Sequence, residues 1–421
     1  MTYSGYFTVS QQNGRWQLVD GNGAPFYSLG VNCFNHGIGI PMEEKLSGKY
    51  GGEGWHARWA EEKREEVWEL GFNTMAAWHD RYFFDTGLPR TYEVRCSRYA
   101  KMANNGWGGY GFPDVFDPSF RDSCERAAAE AFGDAALNLA EDRSVIGLYT
   151  DNELHWWGSG GQWGMDDPGQ GTNRTNLVED YIKLPPDACG KQAWIAFLEE
   201  RYKTIESLNE GWGAEYGSFG ELSWLKQYRA AEAVYLADKT AFLAIIAELY
   251  FSTTTEALRK YDRHHLILGC RVVGTSTPDT VLKAMGKYAD VMSINFYAFE
   301  LPVQWLQRAH EMTGKPMMVT EFSFCCGQSA GFDLVTNGAQ LVNVRDQKRR
   351  GECYRAFVTQ AAELPYMVGT HWFSLYDFWD RQGLIGNYGL YDKEDRPWTE
   401  FTEAVRDTHR AILAEKLQGK L

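Results

Sequence analysis

Short apolar runs alternating with longer amphipathic segments constrain the fold of this chain more than any other feature. The runs "FYSLGVNCF" (26–34), "FNTMAAW" (72–78) and "VIGLYTDNE" (145–153) have strand length. Between them lie "HARWAEEKREEVWELG" (56–71) and "SFRDSCERAAAEAFGDAALNLAE" (119–141), charged on one face and ending near Gly or Asp. The alternation continues through strands over 265–273, 291–299, 316–324 and 367–377 and helices over 241–262, 302–313, 348–363 and 397–416. With "RTYEVRC" (90–96) as the third, the strands number about eight. That count predicts an α/β fold, a (β/α)8 TIM barrel, over an open doubly wound sheet. No GxGxxG opens a helix after an early strand, which weighs further against a dinucleotide-binding sheet.

Two segments fall outside the repeat. "GRWQLVDGNGAPFYSLGVN" (14–32) alternates apolar and polar residues around the turn signal "DGNG", so residues 1–25 are expected as a short N-terminal β-hairpin decoration and 26–421 as the catalytic barrel. After the fourth strand comes a long insertion. Its first part, "WWGSGGQWGMDDPGQGTNRTN" (156–176), is too rich in Gly, Asp and Asn for a regular element and reads as a loop at the barrel mouth, followed by a helical excursion over 191–213.

The net charge of −14 repels polyanions, which argues against nucleic acid or an anionic membrane surface and favours a neutral ligand. Eight cysteines show no CxxC spacing and no Cys/His cluster, so buried reduced thiols are expected, with neither metal nor cofactor. The first residues lack a basic stretch followed by an apolar one, and no run of about eighteen apolar residues occurs. The expectation is a chain without a targeting segment, cytoplasmic, or periplasmic or secreted where a signal peptide has been removed.

In a TIM barrel the loops after the strands form the mouth, so reactive groups sit at the strands' carboxyl ends. The strand ends here offer Asn32, Asn35 and His36; Trp78, His79 and Asp80; Asn152 and Glu153; Arg271; Tyr297; Glu321; and His371 and Trp372. Glu153 and Glu321 stand out, because a carboxylate ending an apolar strand is costly unless it is paired or used. They fall on the fourth and seventh strands and can converge across the opening. Retaining glycoside hydrolysis needs such a pair, roughly 5–5.5 Å apart, one protonating the leaving oxygen and the other attacking the anomeric carbon.

The neighbours fit the same chemistry. Asn152 can donate to a sugar 2-OH, and Tyr297 can hold Glu321 ionised, with a lower pKa than Glu153. Trp372, with Trp156, Trp157 or Trp163, can supply the flat floor on which pyranose faces stack; Trp78, His79, Asn32 and His36 complete the candidate binding residues. A metal-dependent barrel using His36, His79, Asp80 and the two glutamates is a rival, but the histidines lack paired ligand spacing. A carbohydrate-binding barrel without catalysis is another.

At these residues the chain resembles clan A of the glycoside hydrolases, (β/α)8 retaining enzymes with an Asn-Glu pair ending the fourth strand and a Glu ending the seventh. Within the clan it is most similar to the β-agarases of glycoside hydrolase family 50, over "GRWQLVDGNGAPFYSLGVN", "LGFNTMAAWHD", "FPDVFDPSF", "GLYTDNELHWWG" and "MMVTEFSF". The segment "FLEERYKTIESLNEGWG" resembles the insertion of family 42 β-galactosidases. The resemblance implies Glu153 as acid/base, Glu321 as nucleophile, Asn152 as the 2-OH contact and Tyr297 as the partner of Glu321. It also implies a neutral, galactose-containing β-linked substrate, with a family 42-like β-galactosidase as the alternative.

Overall fold

The computed structural model describes residues 3–36, 42–84, 86–106, 111–160, 175–326, 342–380 and 383–417. Its centre is a sheet of nine parallel segments. The first four barrel strands are Ser28–Val31, Thr74–Met75, Arg90–Glu93 and Val145–Tyr149. The sixth, seventh and eighth are Met292–Asn295, Met317–Phe322 and Met367–Trp372. The fifth is broken into Leu266–Gly269, which pairs with the fourth strand, and Val272–Val273, which pairs with the sixth. The two edges of the sheet are therefore consecutive pieces of one stretch, and the eighth strand pairs with the first, so the strands close into the expected (β/α)8 barrel.

These strands are buried on both faces, which is why they read as nearly continuous apolar runs. Ile146, Leu268, Met318 and Val368 belong to an inner cluster, while their neighbours Val145, Ile267, Met317 and Met367 pack outward in the core shared with the helices. The inner cluster is completed by Tyr3, Phe7 and Leu18 from the N-terminal segment. That segment forms a three-stranded antiparallel sheet, Thr8–Gln12, Arg15–Val19 and Pro25–Phe26. Asn13 and Gly14, both at positive φ, make the first turn; at the second, Asp20 Oδ1 accepts the N–H groups of Asn22 and Ala24. Its apolar face meets Leu266, Val291 and Val368, which lie at the starts of barrel strands, so it plugs the end opposite the mouth.

Several helices follow the expected spans, among them Trp55–Glu69, Val303–Thr313, Gln347–Glu363 and Thr399–Leu417. The excursion after the fourth strand is two helices, Cys189–Tyr202 and Ile205–Trp212, divided at Lys203 (φ 68°) and restarted by Thr204, whose hydroxyl accepts the Ser207 N–H. The helix leading to the fifth strand begins earlier than expected and runs Glu232–Arg259. All eight cysteines are free and only Cys189 is not fully buried. Among the described residues no helix is long and apolar enough to cross a membrane.

Candidate active site

Backbone strain marks the mouth before any side chain is considered. Nine non-glycine residues among those described have positive φ, and five of them follow the first five strands or interrupt them: Cys33, Trp78, Arg95, Glu153 and Arg271. A left-handed conformation costs an L-residue roughly 1–2 kcal/mol, so its recurrence around one rim points to side chains that must be aimed there.

Arg271 lies inside the break of the fifth strand, preceded by Gly269 at φ 77°. The turn sends its side chain into the barrel, where it is completely buried. Its guanidinium lies over the rings of Trp78 (4.5 Å to the centroid) and Tyr149 (5.1 Å). Nη2 donates to Asn32 Oδ1 (3.0 Å) and the Thr320 carbonyl (2.8 Å), and lies 3.0 Å from Glu321 Oε1. The other oxygen of Glu321 accepts from the Tyr297 hydroxyl at 2.7 Å. Burial pushes the Glu321 carboxyl above the ordinary carboxylate range; Arg271 first, and then Tyr297, pull it back. Tyr297 thus acts in the expected direction, but burial outweighs it.

Glu153 is reached from the same break, its N–H pointing at the Arg271 carbonyl (3.4 Å). Its Oε1 accepts from Asn295 Nδ2 (2.9 Å), and the same nitrogen lies 3.2 Å from Asn152 Oδ1. Asn295 ends the sixth strand and is itself oriented by Thr320, which donates to its Oδ1 at 2.8 Å. Both glutamates act electrostatically on Tyr297 and on Arg271, so all four groups share one electrostatic environment. Glu93, at the end of the third strand, adds another carboxylate: it accepts from Trp78 Nε1 at 2.5 Å and bears on Glu321.

The remaining candidates divide. Asn32 is buried and fully engaged: besides Arg271 it bonds the carbonyls of Thr320 and Trp372 and the N–H of Ala77, so it braces the site and is not turned to a ligand. Trp78 is half-buried, its ring shared with Arg271 and edge-on to Phe373. Three tryptophans correct the expected stacking floor. Trp372 is buried outside the barrel among Phe322, Tyr354 and Phe401, because it is His371, its neighbour on the strand, that turns toward the first strand and bonds Ser28. Trp156 is buried between Phe112 and Phe251 with its N–H on Cys270 Sγ, and Trp157 is buried beside His155. Trp163 and most of the 156–176 loop lie outside the described residues.

The histidines stand apart from the carboxylates. His79 is held by the Ala76 carbonyl and Arg90, and burial with the Arg90 charge pushes its imidazole down to about 3, so its ring is neutral. His36 pairs with Asp80 and packs on Trp55 and Trp59. Among the described residues no group of three or more His, Cys, Asp or Glu is arranged to hold a metal ion. Asn295 and Glu93 were not among the sequence candidates, although each is a polar residue ending an apolar strand; Arg271 was, without a role.

Fold and site together define a (β/α)8 barrel with two carboxylates tied into one polar network at its mouth. A curated relative is β-agarase B of Vibrio sp. (strain JT0107), 27% identical over 382 residues, covering 87% of this chain and 38% of the relative. The chain thus spans well under half the length of that relative. Among solved structures, an exo-β-agarase superposes with a TM-score of 0.84 at 23% identity, covering 99% of this chain and 66% of the other. BpGH50 superposes with a TM-score of 0.75 at 21% identity, covering 98% and 83%. No protein-family model matches the chain.

Proposed function

We propose that this chain is a retaining glycoside hydrolase that cleaves β-linked, galactose-containing poly- or oligosaccharides in the manner of the family 50 β-agarases. The observation that carries the reading is the unequal pairing of the two carboxylates. Glu321 faces a guanidinium and a phenol, surroundings suited to an anion, whereas Glu153 Oε1 accepts from the neutral amide of Asn295. The β-agarase relative supports the substrate class.

In this reading the Glu153 carboxyl protonates the glycosidic oxygen as the Glu321 carboxylate attacks the anomeric carbon, forming a glycosyl ester and releasing the leaving sugar. Glu153, now a carboxylate, takes a proton from water, which attacks the same carbon and frees Glu321. With Oδ1 turned to Asn295, the Asn152 amide nitrogen points the other way and serves as donor to the sugar 2-OH. Trp78 replaces the buried tryptophans as the aromatic face for the sugar ring.

The test uses agaro-oligosaccharides and aryl β-galactosides. Glu321→Gln abolishes turnover of both, and wild-type turnover by this variant would end the assignment. Glu153→Gln loses the oligosaccharide but keeps aryl substrates with activated leaving groups, which need no proton donor. A strong preference for simple β-galactosides over agaro-oligosaccharides would favour the family 42-like alternative.

A further inference from the structure

We propose that Arg271, set in the break of the fifth strand, is the positioning residue that orients the Glu321 carboxylate and supplies its compensating positive charge. The inference rests on the reading of Glu321 as nucleophile. It begins from the cost of the arrangement. A wholly buried guanidinium on a left-handed backbone, in the break of the fifth strand, is expensive in both conformation and solvation.

Packing alone does not account for that cost, because an apolar side chain would fill the slot between Trp78 and Tyr149 without it. The guanidinium is gripped from four strands: Asn32 after the first, Thr320 in the seventh, and the rings of Trp78 and Tyr149 after the second and in the fourth. Asn32 in turn bonds the Thr320 and Trp372 carbonyls, so the Arg271 fork cannot swing away from Glu321 without breaking the brace. The ring faces take the place of acceptors for Nε and Nη1, neither of which has a hydrogen-bond partner.

The charges around Glu321 need such a cation. Glu93 bears on Glu321 with negative charge and is itself paired with Arg95 at 3.3 Å. Cys33 and Tyr149 also face it, and burial raises both, so neither carries charge near neutrality. His371, pushed to about 3 by burial and by Arg271 itself, is neutral as well. Tyr297 donates a hydrogen bond without a charge. Among the described residues of this group Arg271 is the cation in contact with Glu321, while Arg95, largely exposed, pairs with Glu93.

The experiment compares Arg271→Met, which keeps bulk without charge, with Arg271→Lys, which keeps charge without the fork, by the pH dependence of kcat/KM on agaro-oligosaccharides. Removing an adjacent cation raises a carboxylate pKa by roughly 1–3 units. Glu321 acts as the anion, so the acid limb of the Arg271→Met profile moves up by about one unit or more, and kcat falls roughly 100- to 1000-fold. Arg271→Lys keeps the wild-type acid limb with a smaller loss of kcat. An acid limb unmoved in Arg271→Met, with activity reduced equally at every pH, overturns the proposal. If Arg271→Met does not fold, Arg271→Gln takes its place, and an unmoved limb there overturns it equally. Glu321→Gln separates the two levels. Full activity in that variant defeats the reading of the nucleophile, whereas an inactive Glu321→Gln beside an unshifted Arg271→Met defeats only the role of Arg271.

Discussion

Asn295 uses its whole amide: Nδ2 serves Glu153 and Asn152, and Oδ1 is anchored by Thr320. Asn295→Asp exchanges that donor for a second carboxylate beside Glu153. Because Glu153 acts first as an acid, a neighbouring negative charge raises its pKa, and the basic limb of kcat/KM moves to higher pH by about one unit. Asn295→Ala removes the donor without adding charge, so kcat falls up to about 10-fold, the worth of one neutral hydrogen bond, and the limb moves less than in Asn295→Asp. A pH-rate series on the two variants checks the prediction; equal profiles would separate Asn295 from Glu153. At this scale the sequence was legible where a polar residue ends a long apolar strand, as at Glu153, Glu321 and Tyr297. It was not legible for the tryptophans, because alternation places neighbours such as His371 and Trp372 on opposite sides of the sheet without saying which side each takes. The role of Arg271 was hidden for another reason: a single left-handed residue within "HLILGCRVV" leaves no compositional mark.

The barrel's elements are locked together by groups that catalysis does not touch, and His409 on the terminal helix Thr399–Leu417 is the clearest of them. Its Nδ1 donates to the Leu70 carbonyl at the end of helix Trp55–Glu69, and its Nε2 accepts from Tyr354 on helix Gln347–Glu363. Burial pushes the imidazole down to about 4, so the ring is neutral near pH 7 and Nε2 is free to accept. With the folded pKa depressed below the unfolded value of about 6.5, the contribution is present above pH 6.5 and is lost as pH falls toward 4. Its upper size is about 3 kcal/mol at roughly 1.4 kcal/mol per pKa unit. His409→Gln should therefore lie well below wild type in urea-denaturation stability at pH 7 and approach it near pH 4.5, whereas a constant gap would mean that packing alone is at stake. Long amphipathic helices such as this one were legible because several turns repeat the apolar stripe. Asp279–Tyr288, ten residues between the fifth and sixth strands, was not among the expected helices. Thr74–Met75, a strand of two residues, is shorter than the apolar run that announced it.

At the scale of the whole molecule the governing quantity is the charge of −14, carried by a chain whose barrel gathers Glu93, Glu153 and Glu321 around the buried Arg271. A neutral galactan feels little of that field, while a sulfated one must approach against it. Screening sets the range: the Debye length falls from about 30 Å at 0.01 M salt to about 10 Å at 0.1 M. Repulsion between the barrel and a polyanion is therefore strong in dilute buffer and largely removed near physiological salt. Accordingly kcat/KM for a neutral agaro-oligosaccharide should stay within about twofold from roughly 0.01 to 0.3 M sodium chloride. Any hydrolysis of a sulfated galactan should rise over the same range, approximately tenfold, through the association step. Parallel salt titrations on the two substrates make the comparison. If the sulfated chain were the better substrate in dilute buffer, with activity falling as salt is added, a cationic binding surface would have to dominate the approach, and the neutral-glycan assignment drawn from composition would be lost even with both glutamates confirmed.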